Sequence, residues 1–176
     1  QVSAVPFMAL FGANDLALRF HAVFWGLALL IFGLQLLAVS AAFEKKIPIR
    51  LHYRSPFSRL SLITMFMVFV LLISGTLVSI TGAAQFCQSW PLCEPQEILG
   101  WINLGHRLIV GLTGLLIAFQ LVKSWQTQRS KPAILVAATT TAVLLISQAL
   151  MGAVDVAQNF PPYLLALHMA TSVAVF

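Results

Sequence analysis

The stretch Gly82–Arg107, GAAQFCQSWPLCEPQEILGWINLGHR, joins two long apolar runs, carries both cysteines of the chain, Cys87 and Cys93, and ends by placing His106 inside the second run. Outward from it, apolar runs recur at Leu16–Phe43, Leu60–Gly82, Ile98–Val122, Pro132–Val154 and Tyr163–Phe176. The chain is 60% hydrophobic and 9% charged, with a mean hydropathy of +0.93, whereas about a quarter of an ordinary soluble domain is charged. A bilayer core of ~30 Å takes about 20 apolar residues per helix. These runs predict an all-α, polytopic transmembrane helix bundle of four full helices and a shortened fifth. The fifth run, roughly 21 Å long as a helix, is too short to cross, so the chain reads as a piece of something longer. Gln1–Asn14 carries no convincing signal peptide.

The net charge of +5 does not point to nucleic acid, because the basic residues are segregated. Lys45, Lys46, Arg50, Arg54 and Arg59 fill the first connection, and Lys123, Arg129 and Lys131 the third. The positive-inside rule puts both connections in the cytoplasm. Asp15, Glu94, Glu97 and Asp155 then fall on the outer side, at the N-terminal stretch, the cysteine loop and the last loop. The two cysteines lie where cytoplasmic reductants do not reach, so a Cys87–Cys93 disulfide is permitted.

Three of the four histidines share one depth. His21, His106 and His168 lie six to nine residues in from the last outer polar or breaking residue of their runs, about 9 to 14 Å along a helix. His52 sits among the cytoplasmic basic residues and reads as solvated. Ionisable groups inside membrane helices are costly and point to function, although a polar side chain can also simply tie neighbouring helices together. Neutral imidazole ligates metals, and two imidazoles from facing helices can hold haem iron from both sides. Arg19 and Arg107, next to His21 and His106, are arginines on the outer side; guanidinium binds carboxylates such as haem propionates bidentately, or it snorkels to the interface. Small residues add space: Gly75, Ser79 and Gly82 share one face, and Val110, Thr113 and Gly114 continue the His106 face.

The segments GTLVSITGAAQFCQSWPLCEPQEILGWINLGHRLIVGLTG and QALMGAVDV followed by FPPYLLALHMATSVAVF resemble the heme A synthase family, whose pattern has a TG turn, a cysteine pair around WPLC and an HR dipeptide. The likeness covers about residues 57–176, a four-helix half of a family built from two such halves. Residues 1–56, with the run carrying His21, are additional to that half. The resemblance implies a b-type haem between His106 and His168, a disulfide or redox pair at Cys87 and Cys93, and oxidation of the heme O methyl group to the formyl group of heme A. One departure stands at the expected catalytic position: the family usually has a glutamate three residues before the HR histidine, and this chain has Asn103. An amide cannot exchange a proton as a carboxylate does. That favours a second reading, a non-catalytic haem-binding subunit of a respiratory or photosynthetic membrane complex. A third is a purely structural subunit. In each case the protein is integral to a bacterial cytoplasmic or organellar inner membrane, with its N-terminus and cysteine loop outside.

Overall fold

A computed structural model describes residues 55–172 and Val175. The expected helix Leu16–Phe43 with Arg19 and His21, and the basic residues from Lys45 to Arg54 with His52, lie outside the described residues. Among the described residues the secondary structure is entirely helical: α1, Pro56–Thr81; a 3₁₀ turn, Ala83–Phe86; α2, Ile98–Thr127; α3, Pro132–Ala157; and α4, Pro162–Ser172. The first three are long and apolar enough to cross a membrane, with 26, 30 and 26 residues and mean hydropathies of 2.4, 1.7 and 2.0. They are about 39 to 45 Å long. The chain is thus an integral membrane helix bundle.

Local chemistry sets the helix ends. Ser55 caps α1, its Oγ accepting from the Ser58 N–H at 3.1 Å, and Pro56 follows at the first helical position, where a missing N–H costs nothing. Gly82 ends α1 in the left-handed region at φ 68°, which a residue without Cβ adopts freely. α3 runs three residues beyond the apolar run expected from sequence and ends in a Schellman motif. Phe160 N–H donates to the Asp155 carbonyl at 2.7 Å and Asn159 N–H to that of Val156 at 3.2 Å, with Asn159 left-handed at φ 57°, a role asparagine fills when glycine does not. Phe160 is also at φ 57°, a strained choice for an aromatic residue. Its ring packs against the cluster of Val78, Ala83 and Ala84, and this burial offsets the strain.

Cross-helix contacts fix the packing directions. Gln120 meets Ser61 at 3.4 Å, Ser74 meets His106 at 2.9 Å, and Asn103 reaches the Ala83 carbonyl at 3.2 Å, so α1 and α2 are antiparallel. α4 folds back on α3 in the same way, through Gln148 to Thr171 at 2.6 Å, and touches α1 where Ser79 donates to the Met169 sulfur at 2.9 Å. The inward faces follow the helical period: Thr64, Val68, Leu71, Leu72 and Val78 on α1, Asn103, Thr113 and Ile117 on α2, Ala138, Leu145, Gln148 and Asp155 on α3. The outward faces are just as apolar, with Leu108, Leu112, Leu115 and Phe119 of α2 exposed, as expected where the surrounding solvent is lipid.

Candidate functional site

Two imidazoles, His106 on α2 and His168 on α4, sit toward the cysteine-loop end of the bundle. Each is built in the same way. A Cβ placed on Gly75 would come within 3.2 Å of His106 Cε1, and one placed on Gly152 within 3.2 Å of His168 Cε1. In each case a glycine of the preceding helix lets an imidazole lie directly on its backbone. Sequence reading had assigned the room beside His106 to Gly114 of its own helix. The structure corrects this: Gly114 faces Leu145 of α3, and Gly75 of α1 makes the space.

The same preceding helices hold the ring nitrogens. His106 Nδ1 lies 2.9 Å from Ser74 Oγ, and Ser74 donates its single proton to the Leu71 carbonyl at 2.8 Å. With that proton kept on the carbonyl, the hydroxyl accepts from the ring, an arrangement in which Nδ1 is the protonated nitrogen and Nε2 carries the lone pair. His168 Nδ1 lies 3.3 Å from Asp155 Oδ2, an ion-pair distance out of line for a hydrogen bond, since Nδ1 and Asp155 Oδ1 have no hydrogen-bond partner among the described residues. Metal-bound histidines are commonly held through one nitrogen while the other ligates. Ser74 and Asp155 were not singled out in the sequence, and Asp155 was placed in the last loop. It lies within α3, at 3% exposure. The signal that could have found it is its position three residues after Gly152, on one helical face.

Asn103 and Arg107 face a different task. Asn103 is buried at 4% exposure and donates to the carbonyls of Ala83 and Ala84 at 3.2 and 3.1 Å, while its own oxygen accepts from Arg107 Nε at 3.2 Å. Arg107 donates further to the carbonyls of Cys87 at 2.6 Å, Pro91 at 3.3 Å and Ser89. Four of its five N–H groups are thus committed. The pair of side chains pins the loop to the top of α2. Within that loop Cys87 and Cys93 form a disulfide with Cα atoms 5.5 Å apart, and Cys87 is 1% exposed. Closing so small a loop contributes about 2 kcal/mol to local order. A thiol-reactive label should modify neither cysteine until the protein is reduced and both thereafter; labelling without reductant would contradict the bridge.

The fold is that of a helical membrane protein with two backbone-seated histidines toward one end. Residues 94–176 match the family of cytochrome oxidase assembly proteins, COX15-CtaA. A heme A synthase of Bacillus mycoides (strain KBAB4) is 35% identical over 124 residues, which span 66% of this chain and 40% of that protein. Heme A synthases of Bacillus cereus (strain AH187) and Bacillus anthracis (strain A0248) are 34% identical over the same shares. These likenesses support a place in the heme A synthase family, and the chain spans about two fifths of the length of these relatives.

Proposed function

We propose that this chain holds a b-type haem between His106 and His168 in a membrane protein of heme A biosynthesis, supplying cytochrome oxidase assembly. The observation that carries the reading is the repeated construction of the two histidines, each seated on a glycine and each with its Nδ1 facing an oxygen of the preceding helix. That arrangement presents two Nε2 lone pairs, the donor set that low-spin haem iron takes. Haem so held supplies one-electron chemistry. The protein's own part is to fix both rings, exclude water through the apolar faces around them, and keep the outer end closed through Arg107 and the disulfide loop, with one Arg107 N–H left for a propionate.

Oxidation of heme O to heme A is proposed for the whole protein rather than for residues 57–176 taken as one half-domain. Asn103 favours assigning this half a haem-holding role, because its amide is used as a double donor to the Ala83 and Ala84 carbonyls, which a carboxylate cannot do. A pyridine haemochrome assay on the purified protein tests the proposal: haem b is expected, and a preparation without haem would refute it. The histidine end is proposed to face outward and the Lys123–Lys131 end the cytoplasm. Reporter fusions should place Arg129 inside and Cys87 outside; the opposite sidedness would overturn this topology.

A further inference from the structure

Asp155 is the one acidic residue within a described helix, and at 3% exposure it is buried. An acid inside an apolar membrane helix costs several kcal/mol unless it is partnered, and what it faces is His168. The placement is built by three features. Gly152, one turn earlier on α3, lets the imidazole lie against the helix with Cε1 3.2 Å from where a Cβ would stand. The Schellman turn, with Phe160 N–H on the Asp155 carbonyl at 2.7 Å, folds α4 back beside the same face. Gln148, one turn before Gly152, ties α4 in place through Thr171 at 2.6 Å. Asp155 Oδ2 then lies 3.3 Å from His168 Nδ1, and Oδ1 has no partner among the described residues.

The equivalent position toward His106 is filled by a neutral hydroxyl, Ser74 Oγ at 2.9 Å. The two imidazoles are therefore seated alike but partnered unlike. Resting on the haem reading above, we infer that Asp155 is the positioning residue of His168 and makes it the stronger electron donor of an unequal ligand pair. From 3.3 Å the carboxylate attracts Nδ1–H, favours the tautomer that leaves the lone pair on Nε2, and pushes electron density onto that nitrogen, as a carboxylate behind a metal-bound histidine does. A stronger donor favours the ferric over the ferrous ion, so Asp155 holds the haem at a lower reduction potential than a serine-backed pair would have. Second-shell hydrogen bonding is one of the protein's means of setting haem potential.

The test is a spectroelectrochemical titration of the intact purified protein and of Asp155→Asn and Ser74→Ala, following the low-spin haem bands. Asp155→Asn is expected to keep the haem and its low-spin spectrum while its midpoint potential rises, and Ser74→Ala to give a smaller rise. An unchanged midpoint in Asp155→Asn, or equal shifts in the two variants, would overturn the inference and leave the haem reading standing. Absence of haem from the unsubstituted protein would overturn both. Should Asp155→Asn fail to hold haem, Asp155→Glu, which keeps an acceptor carboxylate, must bind it in the low-spin form; if it does not, the inference falls.

Discussion

His106→Ala and His168→Ala are each expected to abolish the six-coordinate, low-spin haem spectrum and to weaken haem retention by on the order of a hundredfold or more, since loss of a second-shell partner alone costs 10- to 100-fold. Each removes one of the two proposed Nε2 donors, and the polar side chains that meet the rings, Ser74 and Asp155, face their Nδ1 side. Neither substitution should unfold the bundle, because both histidines are only partly buried and the main cluster of Val68, Leu71, Leu72, Ile117 and Leu145 is untouched. His21→Ala is the control and should leave the spectrum intact. Absorption spectra of the three variants check this; a low-spin spectrum surviving in either alanine variant of the pair would remove that residue from the site.

The second large effect is expected at Asn103, and its direction runs against intuition. Asn103→Glu installs the residue the family usually carries, yet it should destabilise this chain by about 2 kcal/mol. The substitution turns two donations, to the Ala83 and Ala84 carbonyls, into two carbonyls facing a carboxylate, each costing about 1 to 3 kcal/mol when buried and unpaired. A charge-assisted contact with Arg107 recovers part of that loss. Denaturant unfolding in detergent measures it, and the cysteine loop should become more accessible to protease at the same time. A variant as stable as the original would show that the amide is not the clamp described.

The helices were legible because lipid exposes their outer faces as well as burying their inner ones, so hydropathy alone marks them. α2 starts at Ile98 and α3 at Pro132, where the apolar runs begin. The depth of His106 and His168 could likewise be counted along the chain. What could not be counted was the partner across the helix interface. Gly75 was visible as a small residue but not as the seat of His106, since that depends on the antiparallel register of α1 and α2. Asp155 was read as a loop residue because a charge normally ends a membrane run; a histidine beside it on the next helix changes that cost. Arg107 reads in sequence as a propionate partner or an interfacial snorkel, not as a clamp on the loop. The fold of a loop that brings the carbonyls of Cys87, Ser89 and Pro91 to one guanidinium leaves no periodic trace in sequence.

One iron reached by both rings is the core of the proposed site. Low-temperature electron paramagnetic resonance of the oxidised, purified protein reads this directly. A low-spin ferric signal of the bis-imidazole type, lost in both His106→Ala and His168→Ala, is predicted; a high-spin signal, or no haem signal from the unsubstituted protein, would contradict it.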